Sequence, residues 1–293
     1  MTTAKPERNP IRSRESSMGN DAYRGQTILI TGASSGLGEE FARELAGRGA
    51  SLVLVARRRR LLETLAAELK RAHGVDVTVI ERDLGTAGAG RTLRAELEAR
   101  GIHATGLINC AGFGTQNDFE DEDPDRLQAM IALNVAALVD LSHAYYASLK
   151  KDNGILINVA SLLGFQPTPY LSVYGATKAF VLSFTESLWE EARGTGLRVL
   201  ALSPGPMKTG FFEAAGSDSA DYGAPRVSAG QVVKRALAAL ERRNPPPSIV
   251  TNGRPLVLIG RFLPRRTVVH AMGAMQRRAR RQGSRTPSAE RAA

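Results

Sequence analysis

From Gln26 onward, short apolar runs alternate with longer amphipathic stretches. Ile28, Leu29 and Ile30 form a run that stops at Thr31-Gly32. Leu37, Phe41 and Leu45 then recur at i, i+4 and i+8, a single helical face. Gly47 and Gly49 close that helix. Leu52 to Val55 is a second apolar run, and Leu61, Leu65 and Leu69 mark a second helix ending at Gly74. Val75, Val77 and Val79 alternate with polar residues before Asp83 and predict a third strand. A helix follows from Thr92 to Arg100, and Leu107-Ile108 leads a fourth strand into Asn109-Cys110-Ala111-Gly112. A long helix is predicted from Pro124 towards Lys150, with Pro at its first turn. Ile155 to Val159 is a fifth strand, Ser172 to Ala192 a long helix, and Leu197 to Leu202 a sixth strand.

Strands that are apolar throughout, each followed by a helix, belong to a parallel sheet covered on both faces. Six such units in about 180 residues predict one α/β domain, a doubly wound Rossmann-type sheet. Residues 25–250 form that domain, and a C-terminal helical extension follows over 251–293. Residues 1–24 are polar and read as a disordered N-terminal extension. Residues 205–227 are rich in Gly, Pro, Ser and Asp, without periodicity, and read as a lid loop. Ser228 to Arg243 is a further helix, broken by Pro245-Pro246-Pro247. Pro255 to Met275 mixes apolar residues with Arg around Pro264, and after Gln276 the tail is expected to fray.

The formal charge of +10 raises the question of nucleic acid. Its distribution answers against it: residues 25–253 are nearly neutral, while residues 254–293 hold ten Arg and one Glu. Cys110 is the single cysteine, so no intrachain disulfide forms, and a reducing, cytoplasmic setting is expected. The four His are scattered, and no metal-ligand spacing is present. No apolar run approaches the ~20 residues of a membrane span. The acidic run Glu120 to Asp125 reads as a solvated loop feeding a helix N-terminus, where Asp is favoured.

Thr31-Gly32-Ala33-Ser34-Ser35-Gly36-Leu37-Gly38 sits between the first strand and the first helix. Gly32 permits the tight turn, Gly36 lets a pyrophosphate approach, and Gly38 lets the helix pack on the strand. Free N–H groups and the helix dipole favour phosphate there. The second strand ends Val55-Ala56-Arg57, with no carboxylate to take a ribose 2′-hydroxyl. Arg57 is placed for a 2′-phosphate instead, which points to NADP(H) rather than NAD(H).

Tyr174 and Lys178 are four apart and share a helix face. A free Tyr has a pKa of about 10. A neighbouring ammonium is expected to lower it towards the working range of a general acid/base. Ser161 lies just beyond the fifth strand, at the sheet edge where open parallel sheets bind ligands.

The spacing Gly-x-x-x-Gly-x-Gly, with Ser161, Tyr174-x-x-x-Lys178 and Asn134, resembles the short-chain dehydrogenase/reductase family over roughly residues 25–245. Asn109-Cys110-Ala111-Gly112 resembles the family's Asn-Asn-Ala-Gly turn, with Cys in place of the second Asn. The resemblance implies that Ser161 hydrogen-bonds the substrate oxygen and that Tyr174 donates the proton during reduction. It implies that Lys178 holds the ribose hydroxyls, and that Asn134 positions a water in a proton relay. Asp83-Leu84 is similar to the adenine-contacting turn, and Pro204-Gly205, Met207 and Thr209 to the segment that fixes the nicotinamide amide. It implies a homodimer or homotetramer.

The expected activity is NADPH-dependent reduction of a moderately apolar ketone or acyl carbonyl, or the reverse alcohol oxidation, with Phe211 and Phe212 as lid contacts. A 3-oxoacyl-thioester reductase is an alternative within enzymes, and a non-catalytic NADP-binding sensor or scaffold an alternative outside them. The basic tail around Arg254 to Arg281 is expected to pack on the body or a partner subunit; weak peripheral contact with an anionic membrane is the other reading.

Overall fold

The computed structural model describes residues 23–207 and 226–283. Seven strands form one sheet: β1 (Thr27–Thr31), β2 (Ser51–Ala56), β3 (Val77–Glu81), β4 (Gly106–Asn109), β5 (Ile155–Val159), β6 (Arg198–Ser203) and β7 (Ser248–Val250). Their order is β3-β2-β1-β4-β5-β6-β7, and every pairing is parallel. Successive side chains of a strand point to opposite faces, so β1 feeds two cores. Ile28 and Ile30 pack with α1 (Gly36–Gly47), α2 (Arg59–His73) and α7 (Ala229–Leu240). Leu29 packs on the other face with α3 (Ala89–Ala99), α5 (Leu138–Lys151) and the end of α6 (Ser172–Glu191). The strand order reverses between β1 and β4, which opens a crevice at the carboxyl ends of these strands.

Four features differ from the sequence-based expectation. β7 follows directly on the proline run and pairs with the edge of β6. Three half-buried residues are too few to show a strand period. The long helix from Pro124 is interrupted: α4 (Pro124–Ile131) passes through a π-helical segment, Ala132–Ala137, into α5. Its start is as expected, since Asp123 accepts the Asp125 N–H at 3.0 Å and Pro124 sits in the first turn. Over Pro124–Lys151 it is long and apolar enough, by length and composition, to cross a bilayer. Leu138, Leu141, Tyr145 and Leu149 are instead buried in the body.

The third difference is Tyr23. It was assigned to the N-terminal extension, yet it is 1% exposed and belongs to the α1–α7 core. Its hydroxyl donates to Glu241 at 3.1 Å. Truncating a buried aromatic costs about 3–5 kcal/mol, so Tyr23→Ala is expected to lower Tm by roughly 10 °C. An unchanged melting curve would place Tyr23 outside the cooperative unit.

The fourth is the tail. α8 (Arg254–Phe262) turns at Pro264 into α9 (Arg265–Gly283), which continues past Gln276 rather than fraying there. Val268 and Met272 are buried, and Gln276 accepts from Gln116 at 3.2 Å. Arg280 donates to both carboxylate oxygens of Asp118, at 2.9 and 3.1 Å, and lies 4.6 Å above the Tyr170 ring. Thr209, Phe211 and Phe212 lie outside the described residues.

Candidate active site

The crevice begins at the turn from β1 into α1. A Cβ on Gly38 would lie 2.4 Å from the Gly32 carbonyl oxygen, so helix and turn are in backbone contact. Gly32 has φ +66°, and a Cβ there would meet the backbone of Ala111 at 2.9 Å. β1 and β4 are thereby held together at the switch point. Thr31 secures the junction: its hydroxyl accepts the N–H groups of Cys110 and Ala111, both at 3.1 Å.

Arg57 and Arg58 flank this turn. Sequence reasoning singled out Arg57; the structure adds Arg58. Its guanidinium donates to Ser34 at 2.9 Å and to Ser35 at 2.7 Å. Which member of the run Arg57 to Arg60 reaches back depends on where α2 starts, and the composition of the run does not record that. Asp83 accepts the Gly85 N–H at 2.9 Å, a local turn that presents Asp83 and Leu84 to the crevice.

Tyr174 stands in the first turn of α6 with Lys178 one turn on. They are 7% and 5% exposed, and the ammonium lies 5.8 Å from the phenol ring centroid. Lys178 donates to the Val159 carbonyl at 2.8 Å, at the end of β5. Ser161 caps the short turn Leu162–Phe165 by accepting the Leu163 N–H at 3.1 Å. It also hydrogen-bonds the Tyr174 hydroxyl.

The expected lowering of the Tyr174 pKa is corrected here. Burial pushes the phenol up to about 12, and the hydrogen bond from Ser161 offsets only part of this. Burial likewise pulls Lys178 down to about 8. Desolvation penalises both charged forms and is the largest cause of each shift. Cys110 is half-buried in the same crevice, and its thiol is also pushed up to about 12 by burial.

Asn134 lies in the π-helical segment, and its amide is committed to protein partners. It donates to the Phe113 carbonyl at 2.9 Å and to Thr177 at 3.1 Å, and accepts the Phe113 N–H at 3.1 Å. The amide therefore braces the wall beside Lys178. Asn109, expected with Ala111 and Gly112 to line the cofactor site, is buried and does not line the crevice. It donates to Asn158 at 2.8 Å and Ser142 at 3.2 Å, tying β4 to β5.

The remaining expected residues converge on one cleft of about 720 Å³. Gly32, Ser34, Ser35, Gly36, Leu37 and Gly38 line it, as do Ser161, Tyr174 and Lys178. Ala111, Gly112, Pro204, Gly205 and Met207 lie along it, with Phe113, Leu162 and Leu163 as apolar wall near the phenol. Asn252 was not foreseen. It accepts the Gly205 N–H at 2.9 Å and donates to the Pro206 carbonyl at 3.1 Å, so it fixes the exit of β6. Among the described residues, no group of three or more His, Cys, Asp or Glu side chains is placed to hold a metal ion.

The sequence profile described as short chain dehydrogenase matches residues 26–220. The chain belongs to the short-chain dehydrogenase family. This dehydrogenase is 33% identical over 187 residues to a 7beta-hydroxysteroid dehydrogenase of Collinsella aerofaciens, covering 63% of this chain and 70% of that one. It is 31% identical to a very-long-chain 3-oxoacyl-CoA reductase of Anas platyrhynchos, over 61% of this chain and 59% of the relative. A short-chain dehydrogenase from Sphingobium yanoikuyae, solved in complex with NADPH, superposes with a TM-score of 0.71 at 31% identity, covering 91% of this chain and 99% of that one. The dehydrogenase is thus an oxidoreductase of the class that interconverts alcohols and carbonyls, and Ser161, Tyr174 and Lys178 share one cleft with the glycine turn.

Proposed function

We propose that the protein reduces ketone or acyl carbonyls with NADPH, or runs the reverse alcohol oxidation, on moderately apolar substrates. One observation carries the reading: the glycine turn with two Arg beside it and the Ser161–Tyr174–Lys178 set line one and the same cleft. The NADPH-bound relative and the hydroxysteroid and oxoacyl-CoA relatives support it.

The residues present fit a phosphorylated dinucleotide. Gly112 lines the cleft, and a Cβ there would press on the Asn134 amide oxygen at 2.8 Å and face the Lys178 ammonium at 3.5 Å. The amides of the Gly32 to Gly38 turn would take the pyrophosphate, and Arg57 and Arg58 the 2′-phosphate. Asp83 and Leu84 would flank the adenine, Lys178 the ribose, and Pro204, Gly205 and Met207 the nicotinamide amide. When bound, this group supplies the hydride; the protein supplies orientation and the proton.

Tyr174 is suited to giving that proton. With its pKa near 12 it is a neutral phenol throughout the physiological range, which is the state a donor needs. The Ser161 hydroxyl, which accepts the Leu163 N–H and hydrogen-bonds the Tyr174 oxygen, stands beside the same carbonyl oxygen and would turn its proton from Tyr174 to that oxygen when substrate is bound. In the reverse direction Tyr174 must act as phenolate, and the charge on Lys178 then favours it. Phe180, 43% exposed and stacked on Phe184 at 5.8 Å, supports self-association through α6.

Charge-assisted hydrogen bonds are worth about 1.5–3 kcal/mol, so the double variant Arg57→Ala/Arg58→Ala is expected to raise KM for NADPH by roughly 10- to 100-fold. KM for NADH should hardly move. An equal rise for both cofactors would show that the two Arg do not read a phosphate. The activity is tested by following NADPH oxidation against ketones, aldehydes and 3-oxoacyl thioesters. Turnover of one class names the substrate type; binding of NADPH without turnover of any would favour a sensor.

A further inference from the structure

The C-terminal arm has two contrasting faces. On one, Val268, Met272 and Gln276 of α9 are buried against the body. On the other, Arg254, Leu258 and Phe262 follow at i, i+4 and i+8 along α8 and form one exposed stripe. Leu258 is 55% exposed and Phe262 85%. Leu263 at the elbow and Val269 on α9 extend it, at 41% and 38%. These four are half of the large hydrophobics left exposed among the described residues, gathered into one short stretch of chain.

A patch this open and this contiguous marks a binding surface. Its charge indicates the partner. Residues 251–283 contain eight Arg and no Lys, Asp or Glu. Arg254, Arg265, Arg266, Arg277 and Arg278 are exposed, and among the described residues none of them pairs with a carboxylate. Arg280 is the member of the set that does. Bulky apolar side chains rimmed by unneutralised guanidinium groups match the headgroup–acyl boundary of an anionic bilayer. Nucleic acid would take the Arg but leave Phe262 in water. A second copy meeting the same patch would set Arg against Arg.

The helix that carries the patch starts beside the cleft. Asn252 and Gly253 lead into α8; Asn252 grips Gly205, and a Cβ on Gly253 would strike Leu162 at 2.7 Å. Gly205 and Leu162 both line the cleft.

We propose that the α8–α9 elbow docks this protein on an anionic membrane surface. Leu258, Phe262 and Leu263 enter the acyl boundary, and Arg254, Arg265 and Arg266 meet the lipid phosphates. The docking stands independently of the catalytic reading.

The test is flotation of the full chain with vesicles of phosphatidylcholine alone or mixed with phosphatidylglycerol. The chain is expected to float with the mixed vesicles, and about ten-fold less with phosphatidylcholine alone or at high salt. Leu258→Ser/Phe262→Ser and Arg265→Glu/Arg266→Glu should each lower the bound fraction about ten-fold, because both attractions are needed for stable attachment. Thermal unfolding of each variant should match the parent, since the side chains are exposed. Absence of flotation by the parent chain overturns the proposal, as does flotation that survives Leu258→Ser/Phe262→Ser. A change from oligomer to monomer in that variant, with no flotation by the parent, would assign the patch to a second copy. Retention on duplex nucleic acid in preference to vesicles, unchanged by the Ser variant, would overturn it equally.

Discussion

Tyr174→Phe is expected to cut carbonyl reduction by about 1000-fold or more while NADPH still binds. The substitution removes one oxygen and keeps the ring. The ring packs with Met130, Leu163 and Leu171, so the fold of α6 and the cleft wall should persist. The lost oxygen is the group that Ser161 orients towards the cleft. Burial raises the phenol's pKa, so in the reductive direction the parent enzyme holds the proton that the Phe variant lacks. Asp83, which also lines the cleft, is committed to the Gly85 turn. Steady-state NADPH oxidation gives the rate, and a fluorescence titration gives the affinity. A variant with the parent's kcat would remove Tyr174 from the chemistry.

Gly38→Ala is expected to have the second large effect, on binding rather than on the proton. The new methyl carbon would stand 2.4 Å from the Gly32 carbonyl oxygen and 2.7 Å from its carbon. Both are backbone atoms, so no rotamer relieves the contact. Either α1 lifts from the turn or Gly32 moves. Gly32 is itself wedged against Ala111, so movement there disturbs β4 as well. Overpacking of this kind costs up to about 3 kcal/mol, or roughly 6–12 °C in Tm for a domain of this size. The phosphate-facing amides shift with the turn, and displacements of that order are expected to weaken NADPH binding about 100-fold. Calorimetric titration with NADPH and a thermal melt measure the two effects together. Unchanged affinity would mean that the turn does not cradle the phosphates.

The fold was legible because a doubly wound sheet repeats one simple pattern. Six strands and their helices stand out as apolar runs with periodic partners. What stayed hidden lacked a period of its own. β7 is three residues long, and the π-helical segment keeps the composition of an ordinary helix. Tyr23 looked like the end of a polar stretch, because its partner Glu241 is distant in sequence.

The site shows the same division. The glycine turn, Ser161 and the Tyr174–Lys178 pair were visible because their roles depend on local spacing. Arg58, Thr31 and Asn252 were missed because each acts through a partner brought close only by the sheet. The pKa of Tyr174 was misjudged for a related reason: burial is a property of the whole fold, whereas the adjacent ammonium can be read from the chain. The amides of Asn109 and Asn134 are held by Asn158, Ser142, Phe113 and Thr177, partners that only the folded sheet and helices bring near.

Isotope transfer tests the central claim most directly. NADPH deuterated at its transferable ring position would be mixed with the parent enzyme and a ketone that it turns over. The account predicts one deuterium on the product's carbinol carbon for each cofactor oxidised, and none in the Tyr174→Phe variant under the same conditions. Label lost to solvent, or product formed equally by both proteins, would contradict it.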